Sequence, residues 1–229
     1  MDEISIFDIA GPIMVGPSSS HTAGACKIGQ FARALFHGTP RKVTFYLHGS
    51  FAEVYKGHAT DRALLAGVLK MRTSDPSIKD SFRVADKKGI EYEFKKKFLG
   101  ERYHPNTVKI VLENSRRKMS VIGSSVGGGV IEILKIDNFN IHLRGRAGKY
   151  LSLVVQHDKD KRVIRELREK VNALKGIKIH DIEQRTYKNK TLSILHTEGR
   201  RIKLPEVIEL EKNTKHVDFI RSLSKLEKQ

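Results

Sequence analysis

From Leu151 to Ile220 the apolar residues change period in a fixed rhythm, and that rhythm leaves few folds open. Leu151, Leu153 and Val155 alternate, as on a half-buried strand. Val163, Ile164, Leu167, Val171 and Leu174 then follow helical spacing, and Gly176 closes that helix. Ile177–Gln184 and Thr191–Thr197 read as a hairpin across Lys188-Asn189-Lys190. Pro205–Lys212 reads as a helix and Val217–Ile220 as a last strand. The order is βαββαβ, a ferredoxin-like arrangement.

The preceding residues read as a separate unit. Ile28, Phe31, Ala32 and Leu35 sit at i, i+3, i+4 and i+7 and predict a helix from about Ala23 to Phe36, ended by Gly38-Thr39-Pro40. Val43, Phe45 and Leu47 alternate, so Lys42–His48 is a strand. Thr60 or Asp61 caps a second helix with the stripe Leu64, Gly67, Val68 and Met71. Ser74–Lys88 reads as a third, weaker helix ending before Gly89. Strand signals follow at Glu91–Phe98, Thr107–Glu113, Met119–Ser125 and Val130–Ile136, with Gly127-Gly128-Gly129 between the last two. The unit ends near Arg144–Gly148, a short basic stretch that reads as a linker. Two small domains suit a chain of 229 residues.

Composition narrows the function classes. No apolar run approaches the roughly 20 residues of a membrane span. The opening MDEISIFDIA is acidic and lacks the positive stretch of a secretory signal, so a cytoplasmic protein is expected. Cys26 is the only cysteine. It cannot form an internal disulfide or hold an iron–sulfur cluster, so any such cluster must come from another chain. The net charge of +17 raises nucleic acid as a partner. However, the basic residues are scattered over turns and strands, as at Lys95-Lys96-Lys97, Arg116-Arg117-Lys118 and Arg200-Arg201. No basic helix interleaved with aromatics and no zinc-finger or RNA-binding signature accompanies them. A basic solvated surface, or one that meets an acidic partner, accounts for the charge as well.

The strongest local signal is Gly16-Pro17-Ser18-Ser19-Ser20-His21-Thr22-Ala23-Gly24-Ala25, just before a helix. Free N–H groups at a helix start favour a carboxylate or phosphate. A plain cap needs one hydroxyl residue, whereas this loop supplies five polar groups in a row. His48-Gly49-Ser50 lies where a strand runs out, the end at which ligands gather in open α/β sheets. In Lys56-Gly57-His58-Ala59-Thr60-Asp61, His58 is a candidate general base with Lys56 and Asp61 as neighbours that tune it. His104-Pro105-Asn106-Thr107 enters a strand, and Ser124-Ser125-Val126-Gly127-Gly128-Gly129 offers a bulge or a close backbone approach. Each of these four would mean little alone.

Taken together and in this order, GPSSSHTAGA, HGSFAEVYKGHATDRALLAG, HPNT and GSSVGGG closely resemble the beta chain of the iron–sulfur-dependent L-serine dehydratases. The resemblance covers about residues 5–147, and residues 148–224 resemble the ACT domain that follows in that family. The fold it implies is α+β. Residues 1–147 form a serine dehydratase beta-type α/β domain, similar to an accessory substrate-binding domain, and residues 148–229 a ferredoxin-like βαββαβ ACT domain.

The resemblance further implies a subunit of an L-serine ammonia-lyase, which turns L-serine into pyruvate and ammonia. A 4Fe-4S cluster, ligated by the alpha chain and not by this one, would act as Lewis acid on the substrate hydroxyl. The partners implied are that alpha chain and L-serine, with homodimer contacts as well. Ser18, Ser19, Ser20, His21 and Thr22 match the family's serine-rich loop, which holds the substrate's carboxylate and amino group. Ser50 matches another pocket edge and His58 the histidine that takes the α-proton, with His21 as its rival. No metal ligand is assigned to this chain.

One stretch departs from the family pattern. ACT domains that bind an amino acid carry a glycine in the turn after the first strand, where this chain has Lys161 and Arg162 in place of a Pro-Gly pair. Long side chains would crowd a ligand there, and a required positive φ would be costly. Packing or dimerisation is the role expected of that domain. Two other readings stay open: a stand-alone amino-acid-binding regulator without catalysis, and, on charge alone, a nucleic-acid-binding protein.

Overall fold

The computed structural model describes residues 14–36, 38–145 and 151–223. Two compact units divide the chain, one taking residues up to 137 and 141–147, the other 138–140 and everything from 148 on. The architecture is α+β, with one sheet of six strands and one of four. No helix among the described residues is long and apolar enough to cross a membrane.

In the first unit a π-helical turn, Ser19–Gly24, runs into α1, Ala25–Leu35. Then come β1 (Lys42–His48), α2 (Ser50–Val54), α3 (Thr60–Val68), a 3-10 turn (Pro76–Asp80) and α4 (Ser81–Lys87). Strands β2 (Glu91–Lys96), β3 (Thr107–Glu113), β4 (Lys118–Gly127), β5 (Val130–Ile136) and β6 (Phe139–Gly145) complete it. The sheet order is β2-β1-β3-β4-β5-β6. β1 pairs parallel with β2 and antiparallel with β3, and β3, β4 and β5 continue antiparallel.

The predicted stripe Ile28, Phe31, Ala32 and Leu35 is fully buried, as are Val43, Phe45 and Leu47 of β1. Helices α1 and α3 approach until backbone meets backbone. A Cβ on Gly29 would lie 2.3 Å from the Leu64 carbonyl oxygen, and one on Gly67 2.0 Å from that of Cys26. The glycines are there because no side chain fits.

Several local readings need correction. Neither Thr60 nor Asp61 caps α3: Ala59, left-handed at φ 53°, precedes it, and Asp61 accepts a hydrogen bond from the N–H of Arg62. Met71 lies beyond the helix end. Ser74–Lys88 is not one helix. The Asp75 side chain accepts from the N–H of Ser77, and Pro76, which has no N–H to donate, opens a fresh 3-10 turn before α4. Phe98 falls outside β2 and is 71% exposed. The glycine run stands between β4 and β5 as read: it forms the turn joining them, with Gly127, Gly128 and Gly129 all at positive φ and a register shift between Ser125 and Gly127. Finally, α2 and β6 are elements the periodicity did not single out. Arg144, read as the start of a linker, belongs to β6, while residues 146–148 lie outside the described residues.

The second unit runs β7 (Ser152–Asp158), α5 (Lys161–Asn172), β8 (Ile177–Tyr187), β9 (Lys190–Gly199), α6 (Leu204–Asn213) and β10 (Val217–Ser222). Its element order is βαββαβ, with sheet order β10-β7-β9-β8 and every neighbouring pair antiparallel. Leu153, Val155 and Leu195 of the sheet pack with Val163, Leu167 and Val171 of α5 and Val207 and Leu210 of α6. An irregularity between Ile179 and Asp181 shifts the register of β8, so that Ile177 and Ile179 before it and Ile182 after it all reach this core. The turn before α5 needs no positive φ. Asp160 is extended at φ −133° and its side chain accepts from the N–H of Arg162, so Lys161 and Arg162 open the helix unstrained.

Candidate functional site

The site forms where the serine-rich loop folds over the end of β1. Ser18 is extended, and its Oγ accepts from the N–H of His21 at 3.1 Å, fastening the start of the π-helical turn. The wider π turn is rare, and it is frequently found at functional sites. It turns the His21 ring toward α2, where Nε2 lies 3.0 Å from Ser50 Oγ. The other ring nitrogen, Nδ1, lies 3.2 Å from Ser20 Oγ and 3.5 Å from Ser18 Oγ. Phe51 meets the same ring edge-on at 5.4 Å between centroids. Both nitrogens of His21 are therefore held by hydroxyls.

His58 stands beside it, the ring centroids 5.0 Å apart. Its Nδ1 is buried and has no hydrogen-bond partner among the described residues. Thr22 Oγ1 donates to the His58 carbonyl at 3.1 Å, tying the loop to the segment before α3. Burial, and then the neighbouring His58, push the His21 imidazole below its usual value. Lys56 and Asp61 each meet another neighbour. The Lys56 ammonium lies over the Tyr55 ring, and Asp61 accepts from Arg62.

The remaining motifs brace this pair. Gly49 sits at φ 53°, and a Cβ there would be 2.7 Å from the Pro105 carbonyl oxygen, so HPNT packs on HGS through bare backbone. Thr107 and Ser124 share a hydrogen bond of 2.6 Å, and the Ser125 N–H donates to the Asn106 carbonyl. A Cβ on Gly24 would fall 1.9 Å from Ser125 Oγ, a buried oxygen with no hydrogen-bond partner among the described residues. Lys27 is completely buried in α1, and its ammonium donates to the Gly129 carbonyl at 3.1 Å. Ser18, Ser20, His21, Thr22, Ser50 and His58 thus meet in one place. Ser19 opens the π-helical turn but is not among these hydrogen-bonded side chains. Lys27 and Phe51 were not singled out by sequence reasoning, and Ser125 only as part of the glycine-run motif.

A profile of the family described as "Serine dehydratase beta chain" matches residues 5–135, more than half of the chain. This chain belongs to the serine dehydratase beta chain family. Among the relatives of this beta chain, the "L-serine dehydratase, beta chain" of Peptoniphilus asaccharolyticus is 46% identical over 165 residues, covering 72% of this chain and 73% of that one. The "Probable L-serine dehydratase, beta chain" of Bacillus subtilis is 45% identical over 155 residues, 68% of this chain and 69% of that one. The "L-serine dehydratase" of Helicobacter pylori is 29% identical over 203 residues, and the match covers 76% of this beta chain but 43% of that protein. The family profile spans every motif of the site, from the serine-rich loop to the glycine turn, and ends within β5.

Proposed function

We propose that this beta chain is the part of an L-serine dehydratase that holds the substrate and supplies the base for its deamination to pyruvate and ammonia. The observation that carries the reading is the contrast between two adjacent imidazoles. His21 has both nitrogens engaged by Ser18, Ser20 and Ser50, whereas the Nδ1 of His58 is buried with no hydrogen-bond partner among the described residues. An imidazole pinned at both ends positions its surroundings, and one whose nitrogens are not both engaged is the better candidate to accept a proton. His58 is therefore the base that takes the α-proton. Ser18, Ser19, Ser20, His21, Thr22 and Ser50 form the edge that receives the carboxylate and amino group. Burial, and then the neighbouring His58, lower the His21 pKa and so disfavour its protonated form.

The iron–sulfur cluster expected of such an enzyme has no ligand set in this chain. Cys26 is the only cysteine, fully buried in α1, with its thiol directed at the Met71 carbonyl. The cluster belongs to an alpha chain, which together with L-serine makes the partners of this reading, and a cytoplasmic hetero-oligomer is the state it implies. Residues 1–147 are the serine dehydratase beta-type domain and residues 148–229 an ACT-like domain. In the latter, Lys161 and Arg162 occupy the ligand turn as exposed residues, with Arg162 ion-paired to Asp160 at 2.8 Å. Those side chains favour a packing or dimerisation role over effector binding. The experiment is anaerobic co-purification of this chain with a candidate alpha chain, followed by a pyruvate assay. Pyruvate formation by the pair, abolished by His58→Ala, supports the reading. Full turnover by the His58→Ala pair overturns the assignment of the base.

A further inference from the structure

Asp181, Glu183 and His196 converge on one face of the second unit's sheet, and none of them belongs to the site above. On β9, Leu195 packs into the helix-side core, so alternation turns His196 to the opposite face. Asp181 is its register partner on β8, and Glu183 is two residues further along the same face. The register shift at Ile179/Asp181 creates this placement by reversing which side chains of β8 face the helices. One ligand atom from each of the three lies within 4.8 Å of the other two.

The geometry points to a divalent transition-metal site, and we propose that Asp181, Glu183 and His196 bind such an ion, Zn2+ fitting the ligand set. Two carboxylates this close repel each other, and a dication would cancel both charges. Mixed imidazole and carboxylate donors suit first-row divalent metals. Glu183 Oε1 faces His196 Nε2 at 3.0 Å, while Oε2 lies 3.8 Å from the Arg185 guanidinium, so Oε1 and Nε2 are the atoms offered to an ion.

A third strand supplies independent support. Ser152 of β7 holds His196 Nδ1 at 3.1 Å. Metal-bound histidines are held in this way by a partner on the other nitrogen. A hydroxyl both donates and accepts, so Ser152 can donate to Nδ1 in the metal-free state and accept from it once Nε2 ligates. His180, its ring centroid 5.9 Å from that of His196, is the neighbour from which a fourth ligand can come. Water fills the remaining positions. The proposal does not depend on the catalytic reading of the first unit.

The test uses the full chain, freed of metal by dialysis against a chelator and titrated calorimetrically with ZnCl2. The expected result is a saturable equivalent that raises the thermal unfolding temperature. His196→Ala removes it. Asp181→Asn, at an exposed residue whose replacement leaves the fold intact, weakens it, and Ser152→Ala weakens it about 10–100-fold. His58→Ala leaves it in place. No saturable binding, an affinity unchanged in both His196→Ala and Asp181→Asn, or loss of the equivalent in His58→Ala would each overturn the assignment.

Discussion

At the scale of single residues, His21 and His58 differ in what their nitrogens touch, and substitutions should separate them. In the assembled enzyme, His58→Ala should lower kcat by about 10²–10⁴-fold, the usual worth of a general base. Subunit association and KM should change far less, which steady-state kinetics and gel filtration would check. Ser50→Ala frees one nitrogen of His21 and should act mainly on KM. His21 also sets a pH dependence. Its folded-state pKa is depressed, chiefly by burial and then by His58, and that of the buried His157 is depressed by burial. As pH falls through the unfolded value near 6.5, the unfolded chain takes up protons that the folded chain resists. Stability therefore rises with pH across that window and falls on acidification. Urea unfolding between about pH 5 and 7.5 should show this slope, and a shallower one in His21→Asn. An identical slope in His21→Asn would contradict the burial argument. The serine-rich loop was legible in the sequence because hydroxyls and an imidazole crowd one helix start. Lys27 was not, because a lysine in a helix reads as solvent-facing until its burial against Gly129 is seen.

At the scale of elements, the close contact between the π-helical turn and β4 decides whether the site is rigid. Gly24→Ala places a methyl 1.9 Å from Ser125 Oγ and 2.7 Å from its Cβ, so it should destabilise the chain by about 1–3 kcal/mol or more. Ser125→Gly in the same chain removes both obstructing atoms and should restore most of the loss, as chemical denaturation would show. A double variant no more stable than Gly24→Ala would mean that the clash is relieved elsewhere. Strands whose side chains alternate cleanly, β1, β3 and β5, have the bounds that alternation predicts. Other elements were hidden for identifiable reasons. The five residues of α2 are too few to show a period. Phe139, Ile141 and Leu143 alternate in β6, but the arginines and glycines from Arg144 on have the composition of a linker. In the 74–88 segment, helical composition outweighed the break that Pro76 imposes.

At the scale of the whole molecule, the division near residues 137–148 separates a unit carrying the histidine pair from one whose βαββαβ order was already visible in its periodicity. Family membership was legible because the site is written as several motifs in a fixed order. The proposed division of labour between chains follows from a count of one buried cysteine. The purified chain should therefore be colourless, with no iron–sulfur absorbance after anaerobic reconstitution. The most direct measurement is pyruvate release from L-serine by this chain alone, by a cysteine-bearing alpha chain alone, and by the two mixed anaerobically. Turnover only in the mixture, lost with His58→Ala, is the result predicted; a brown beta chain that releases pyruvate without any partner would contradict it.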